Sequence, residues 1–395
     1  MNWKLVLAIL TANVIFMSSS YTMLIPFLPM YLTLELGVQE ADVNIWSGIV
    51  FSASFVMSAV MAPIWGKLAD TKGKRLMAIR ASFLLSISYF LGGIVQSPEQ
   101  LAMMRLFQGF AAGLWPMDLA IMALYAPPKK LGVCIGIMQG ALTAGSVIGP
   151  LIGGVLAGYF GMRASFFLAA GALFINCLAF VFIIKEPPAP EPTEHKAANK
   201  QSTFSLLRRP VLVILLSTSA LVQMVILILQ PILTTYITSL AGDLPNLVLV
   251  SGIVFSLGGI AGAMAAPCWG WFGQHNGFVS AMLIAMSIGG CAIIIQGTMS
   301  GLYTFAVMQF ICGLFFSGIH PSLNSLLAKC TEPEVKGQIF GLMFAAQQLG
   351  SILGPILGGT VATYLGMRFV FFTAGGVLIL WAVTLRANRK KLPAA

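Results

Sequence analysis

Long apolar stretches alternate with short polar segments along the whole chain of 395 residues. Each stretch has about 20 residues or more, the length that an α-helix needs to cross the hydrocarbon core of a bilayer. Strands of a membrane β-barrel would be shorter and would alternate apolar with polar positions. The pattern predicts an all-α membrane protein with twelve transmembrane helices, at residues 5–33, 43–65, 76–95, 99–125, 131–159, 163–184, 210–239, 247–269, 278–298, 302–327, 338–364 and 367–387.

Composition excludes a soluble globular protein, because 58% of the residues are hydrophobic and only 9% are charged. The first apolar stretch follows Lys4 and begins like a signal peptide. It continues far beyond the length of a signal sequence without a small-residue cleavage site, so we interpret it as an uncleaved first helix.

The net charge of +10 is distributed unequally between the loops on the two sides of the membrane. If Lys4 is internal, only Arg163 and Arg368 fall in loops that must be external, whereas most other Lys and Arg residues lie in the loops and tails of the opposite side. Such asymmetry follows the positive-inside rule and predicts a cytoplasmic (inner) membrane protein with both termini in the cytoplasm. The basic charge therefore sets orientation, and we expect no nucleic-acid partner.

A polar, proline-rich segment at 185–209 divides the chain into two related halves, 1–184 and 210–395. An ungapped alignment of 132–171 with 337–376 gives 19 identities in 40 positions. Six helices in each half mean that both copies begin on the same side of the membrane. We therefore predict a parallel repeat of two six-helix halves joined by a cytoplasmic linker.

The two halves share a glycine-proline stretch, GSVIGPLIGG at 145–154 and GSILGPILGG at 350–359. Glycines four residues apart form one stripe on a helix and allow a neighbouring helix to approach closely, since lipid supplies no hydrophobic drive for helix association. The internal proline frees a carbonyl and is expected to bend each helix. Generic helix packing is the plainer interpretation of the motif, which in the first half comprises Gly145, Gly149, Pro150, Gly153 and Gly154.

The segment GKLADTKGKR at 66–75 lies between the second and third predicted helices. We expect Gly66 and Gly73 to shape a tight hairpin, with Lys74 and Arg75 holding it on the cytoplasmic side. Asp70 is the single acid in this basic loop. An ordinary cytoplasmic turn is the alternative interpretation.

A second segment, RLFQG at 105–109, includes Arg105, Gln108 and Gly109. Arg105 lies roughly 11 Å along its predicted helix at 1.5 Å per residue. A cation at that depth is costly unless it faces protein or a water-filled cavity, so it is a functional candidate. The alternative is that its side chain extends to the membrane surface.

Three further titratable residues are candidates for proton coupling together with Arg105. Asp118 is the only acid well inside a predicted helix, and it either handles a proton or cation or holds a hydrogen bond between helices. His320 lies at nearly the matching depth in the second half and is either a titrating group or a packing residue. Glu35 lies at the outer end of the first helix.

These segments resemble motifs A (66–75), B (105–109) and C (145–154) of the 12-helix drug:proton antiporters of the major facilitator superfamily. The Pro-Phe-x-Pro pattern at 26–29, with the nearby Glu35, is similar to multidrug exporters of the MdtG and PmrA type. The resemblance implies the major facilitator fold, with a substrate site at the membrane midplane and alternating access. It further implies that motif C packs between the halves and that Asp70 faces the N-terminus of the eleventh helix, near 334–337, in one state.

We therefore expect a proton-coupled exporter of amphipathic or lipophilic small molecules, acting as a monomer whose partners are its substrate, protons and membrane lipid. Export of one physiological substrate, such as a sugar, siderophore or lipid, is an alternative, and a non-transporting receptor is another. The sequence has no nucleotide-binding loop, metal-ligand cluster or nucleophile–base set, so we expect no enzyme activity, cofactor or metal. Aromatic and amide side chains suit such a cavity, and the candidates are Tyr21, Phe27, Phe51, Trp115, Gln139, Gln223, Gln230, Phe344 and Gln347.

Overall fold

A computed structural model of the protein describes residues 2–127, 130–185, 209–242, 247–331 and 336–389. Within these ranges, twelve helical spans are long and apolar enough to cross a membrane, which confirms the predicted number. The helices are α1 (Trp3–Met23), α2 (Leu28–Leu34), α3 (Val43–Lys72), α4 (Lys74–Ile94), α5 (Pro98–Ala111), α6 (Leu114–Tyr125), α7 (Leu131–Phe160), α8 (Met162–Phe182), α9 (Pro210–Ala241), α10 (Leu247–Asn276), α11 (Phe278–Thr298), α12 (Leu302–Phe316), α13 (Ile319–Lys329), α14 (Lys336–Tyr364) and α15 (Met367–Ala387).

Three of the spans are interrupted helices. A short 3₁₀ segment, Ile25–Phe27, separates α1 from α2. A left-handed residue, Gly113 with φ 116°, separates α5 from α6. Pro116 lies just after this interruption, in the first turn of α6, where a missing N–H costs no helical hydrogen bond. The third interruption lies between α12 and α13.

Single glycines connect several neighbouring spans. Gly73 joins α3 to α4 with φ 95°, and Gly161 and Gly277 make the equivalent connections with φ 83° and 84°. Only glycine adopts this backbone conformation without strain, so each connection depends on it. The prediction that Gly66 shapes the hairpin is wrong, because α3 continues through Gly66 to Lys72 and no described atom lies within 4 Å of a Cβ placed there.

The chain forms two compact units, Met1–Ala189 with Asp243–Ser256 and Pro190–Gly242 with Leu257–Ala395. In the first unit α1 packs on α7, α3 on α5, and α4 on α8. In the second unit α9 packs on α14 and α11 on α15. Most of the predicted linker, 186–208, lies outside the described residues, and the domain boundaries stay a prediction.

The glycine stripe of α7 faces α1. A Cβ at Gly145 would come within 2.8 Å of the carbonyl oxygen of Ile15, and one at Gly149 within 2.7 Å of that of Ser19. Side chains on α1 use the same close approach, since the Ser18 hydroxyl donates to the carbonyl oxygen of Leu142 at 2.7 Å. The stripe thus holds two helices of one unit in backbone contact. Gly153 contacts the end of α1 in the same way.

Another side of α7 contacts the first turns of α10, which belong to the same unit. A Cβ at Gly252 would lie 2.5 Å from the carbonyl oxygen of Pro150, and one at Gly154 would lie 3.2 Å from the backbone of Val248. The Ser256 hydroxyl donates to the carbonyl oxygen of Val147 at 2.9 Å. The motif around Pro150 therefore serves two helix contacts on different faces of α7.

The second unit repeats the first in detail. Gly350, Gly354 and Gly358 of α14 face backbone atoms of α9, as the first stripe faces α1. Tyr31 donates to the carbonyl oxygen of Gly92 at 2.9 Å, and Tyr236 donates to the carbonyl oxygens of Gly297 and Met299 at 3.4 and 2.9 Å. The repeated sequence thus builds a repeated set of contacts.

Gly149→Leu should destabilise the protein by about 1–3 kcal/mol, because a branched side chain overpacks a surface made for backbone contact. Gly158→Leu, on the same helix, is the matched control, since no described atom lies within 4 Å of a Cβ at that position. Thermal unfolding of the purified variants in detergent measures the difference. Equal apparent Tm values for the two variants would contradict the assigned role of the stripe.

Candidate functional site

Arg75 of motif A joins α4 to α8 in the first unit. The Arg75 guanidinium donates to the carbonyl oxygens of Phe180 and Val181 at 3.0 and 2.7 Å. These carbonyls lie at the end of α8, where a cation also meets the negative end of the helix dipole. The side chain of Asp70 and residues 332–335 lie outside the described residues, so the latch from Asp70 to the N-terminus of α14 stays a prediction.

Arg105 of motif B is buried, with 3% of its surface exposed, so its side chain does not extend to the membrane surface. One guanidinium nitrogen, Nη1, donates to Gln108 Oε1 at 2.8 Å. The other two nitrogens, Nε and Nη2, are buried and have no hydrogen-bond partner among the described residues. The fold therefore buries this cation with most of its donor capacity unused, which is costly without a compensating ligand or water.

Aromatic residues surround the Arg105 guanidinium. Its carbon Cζ lies 5.8 Å from the centre of the Phe51 ring, within the range of a cation–π contact. Tyr21 and Tyr89 lie near enough to interact with the guanidinium electrostatically, and Gln108 lies beside Tyr89. We call these five residues the Arg105 cluster. It brings two predicted site residues, Tyr21 and Phe51, from separate spans to Arg105, whereas Tyr89 was missed by the sequence reasoning.

Gly109 of motif B has a packing role. A Cβ at Gly109 would collide with the carbonyl oxygen of Ser54, so α5 and α3 meet backbone to backbone. Gly313 makes the equivalent contact with the carbonyl oxygen of Gly258 in the second unit.

The second unit builds a neutral network where the first has Arg105. Gln309 occupies the equivalent position, and its Oε1 accepts a hydrogen bond from Gln296 Nε2 at 2.7 Å. The Cys312 thiol in turn donates to Gln296 Oε1 at 3.5 Å. The charge of Arg105 is thus not a requirement of the repeated fold.

The interruption between α5 and α6 is supported by two side chains. Trp65 Nε1 donates to the carbonyl oxygen of Phe110 at 2.8 Å, and Arg80 Nη2 donates to that of Ala112 at 3.0 Å. The Arg80 guanidinium also stacks 3.7 Å above the Trp65 ring. Unpaired carbonyls in a membrane interior need such partners. Our sequence reasoning missed Arg80, although a lone arginine inside the apolar run 76–95 is itself a signal.

Asp118 is completely buried in α6. No residue in the described part of the chain hydrogen-bonds to either carboxylate oxygen, and no ion pair joins it to Arg105 there. α6 packs against α1, α4 and α7 of the same unit. A carboxylate in this setting has no compensation for its charge, so proton binding would remove that charge.

The other two coupling candidates lie in different settings. His320 is half-buried in the first turn of α13, in the second unit. Glu35 Oε2 forms an ion pair with Arg163 Nε at 2.8 Å. Arg163 Nη1 also donates a hydrogen bond to the carbonyl oxygen of Gly93 at 3.2 Å. Glu35 therefore has a cation partner, unlike Asp118.

The predicted cavity residues divide into several environments. Phe27 is a core residue, 1% exposed and packed at Gly153. Trp115 is half-buried in α6, and Gln139 is exposed on α7. In the second unit Gln223, Gln230 and Gln347 are half-buried on α9 and α14, and Phe344 is exposed.

A family model described as Major Facilitator Superfamily matches residues 10–295 and, separately, 248–394. The chain is similar along nearly its whole length to curated multidrug resistance proteins named MdtG. It is 32% identical to that of Proteus mirabilis (strain HI4320), over 99% of this chain and 98% of the relative. Identity to that of Klebsiella pneumoniae (strain 342) is also 32%, over 97% of this chain and 93% of the relative. The predicted resemblance to this exporter type is confirmed.

Solved structures of similar fold are transporters of low sequence identity. A crystal structure of the nucleoside transporter NupG has a TM-score of 0.81 at 18% identity, covering 99% of this chain and 100% of that one. A bacterial homologue of the human lysosomal transporter Spinster, inward-facing and occupied, has a TM-score of 0.84 at 16% identity, covering 99% and 98%. These matches confirm the predicted fold of two six-helix halves.

Arg80 and Arg105 should respond differently to replacement by glutamine. Arg80→Gln leaves the carbonyl of Ala112 without its partner and should destabilise the protein by about 1–3 kcal/mol. Arg105→Gln removes a buried charge and copies the neutral residue of the second unit, so its apparent Tm should equal or exceed that of the wild type. Thermal unfolding in detergent compares the two variants. A lower Tm for Arg105→Gln than for Arg80→Gln would contradict this assignment.

Proposed function

The chain belongs to the major facilitator superfamily, and we propose that it is a proton-coupled antiporter that exports amphipathic or lipophilic drugs across the cytoplasmic membrane. The observation that carries drug export is the full-length similarity to multidrug resistance proteins at 32% identity. The family and the twelve spans support a membrane transporter. Proton coupling and the direction of transport are the finer parts of the proposal.

Alternating access follows from the parallel repeat. Each unit is compact and has close backbone contacts at its glycines, which supports its moving as one body. In transporters built from such repeats, substrate binds near the midplane and the repeats rock about it. Motif A, with Asp70, is proposed to stabilise one of the two end states. The asymmetric distribution of basic loops supports a cytoplasmic position for both termini.

Proton coupling is proposed to reside in the first unit. Asp118 is the buried acid whose oxygens have no partner among the described residues, and the Arg105 cluster supplies a buried cation with unused donors. Protonation of Asp118 removes a buried negative charge, and release of the proton restores that charge. A substrate that binds better to one of these charge states is coupled to the proton, because a ligand shifts an equilibrium by its differential affinity.

Substrate recognition is proposed to rest on aromatic surface with few fixed polar groups. Tyr21 and Phe51 provide such surface next to Arg105, and Gln108 and Tyr89 provide hydrogen-bonding groups. A wall of this kind discriminates by size and amphipathic character more than by a fixed hydrogen-bond pattern. This composition suits drugs of varied structure.

The proposal predicts accumulation of drug driven by a pH gradient. Purified protein in proteoliposomes with an acidic lumen should accumulate a permanently charged lipophilic cation, which does not follow a pH gradient on its own. An ionophore that exchanges potassium for protons should abolish the accumulation. Binding of the compound without gradient-driven accumulation would contradict transport and favour a receptor. Accumulation that the ionophore does not affect would contradict proton coupling.

Asp118→Asn should keep drug binding and lose accumulation driven by the pH gradient, because its side chain can no longer exchange a proton. Asp42→Asn is the matched control, since Asp42 is exposed at the start of α3. His320→Gln tests the second candidate in the same vesicles, and loss in only one of the two variants identifies the carrier. Wild-type accumulation by Asp118→Asn would remove Asp118 from the mechanism.

A further inference from the structure

One end of each unit carries a related local sequence but differs in charge. The segment LPMYLTLELG at 28–37 corresponds to LTTYITSLAG at 233–242, and both end in a glycine of positive φ, 69° for Gly37 and 56° for Gly242. The GMR sequence that starts α8 recurs at the start of α15. Glu35 and Arg163 in the first unit therefore correspond to Leu240 and Arg368 in the second.

The first unit closes this end with a salt bridge. Arg163 Nε lies 2.8 Å from Glu35 Oε2, Nη1 donates to the carbonyl oxygen of Gly93, and the guanidinium lies 6.0 Å from the centre of the Tyr31 ring. Both charged side chains are only about one-third exposed, at 35% and 31%. The arginine here is fixed by a carboxylate of the same unit.

The second unit has an open pocket at the same place. A cavity of about 500 Å³ is lined by Tyr236, Leu240, Leu365, Arg368 and Phe369, among others. Arg368 is exposed, and leucine replaces the acid that would pair with it. None of the described residues of this unit is acidic; Asp243, which follows Gly242 in the sequence, lies outside the described residues. The pocket thus combines one arginine with a mostly apolar lining that also includes Ser239 and Ser300.

We propose that this pocket, which we call the Arg368 pocket, binds the phosphate of an anionic phospholipid, with Arg368 on the phosphate and acyl-chain carbons against Leu365 and Phe369. It lies where α9, α11 and α14 end and α15 begins, so it is at the level of a membrane surface. Lipid phosphates lie at that level, and guanidinium groups bind them through paired hydrogen bonds. On the proposed orientation this is the outer leaflet.

Native mass spectrometry of the delipidated full chain tests the pocket with phosphatidylglycerol and phosphatidylcholine as probes. The wild type should bind one phosphatidylglycerol more tightly than phosphatidylcholine, and Arg368→Gln should weaken that site about tenfold, the loss of one charge-assisted contact. Arg386→Gln, at the opposite end of the same helix, is the matched control and should bind as the wild type does. Equal binding by Arg368→Gln and wild type would overturn the proposal.

Leu240→Glu provides a second, independent variant, because it restores the carboxylate that pairs with the arginine in the first unit. It should weaken phosphatidylglycerol binding about as much as Arg368→Gln does, whereas Leu240→Gln, of the same size and without charge, should not. Equal binding by the two Leu240 variants would contradict the proposal. Thermal unfolding of each variant verifies that it is folded.

Two further experiments identify the partner of Arg368. Glycerol phosphate, which carries the phosphate without acyl chains, should not displace phosphatidylglycerol at equal concentration; equal competition would overturn the assignment to a lipid. Asp243→Asn should leave phosphatidylglycerol binding unchanged. A tenfold gain in that variant would show that Asp243 is the partner of Arg368 and would overturn the proposal.

Discussion

Backbone contact between helices at glycine is the constraint on which this structure depends. Lipid offers no hydrophobic drive for helix association, so helices must gain stability from close packing. Gly145 meets the backbone of α1, and Gly350 meets the backbone of α9 in the same way. Gly109 and Gly313 make a second matched pair, each against a backbone carbonyl. Because these contacts occur in both units, they form a scaffold that the two halves share.

Buried charge is then the feature that distinguishes the halves. Arg105 corresponds to Gln309 within a neutral hydrogen-bonded network. Asp118 has no counterpart among the acids of the second half, which are Asp243, Glu332 and Glu334. Groups that cost folding energy and are present in one half only are best explained by a function of that half. The symmetric scaffold thus serves packing, and we propose that the asymmetric charges Arg105 and Asp118 serve coupling.

The sequence predicted the parts of this fold that depend on local pattern. Apolar length gave the twelve spans, and the repeated glycine-proline stretch gave the matched halves, since both signals lie within single helices. The prediction that Gly66 shapes a hairpin is wrong because the residues of 66–75 are polar and the apolar pattern ends before them. α3 nevertheless continues as a helix to Lys72. The pair of Arg163 with Glu35 and the contact of Arg80 with Ala112 were missed, because each joins residues of different helices far apart in sequence. For the candidate site, the sequence was enough to predict which types of residue take part. The contacts that group these residues around Arg105 could be seen only in the structure.

The central claim, that the buried charges of the first half exchange protons for drug, is tested most directly by reversing the coupling. Proteoliposomes without a pH gradient, enclosing a pH-sensitive dye, are exposed to an imposed gradient of a permanently charged lipophilic drug. The account predicts that drug moving in one direction drives protons in the other, with a change in luminal pH that protein-free vesicles lack. Movement of drug through the protein with no change in luminal pH would contradict it.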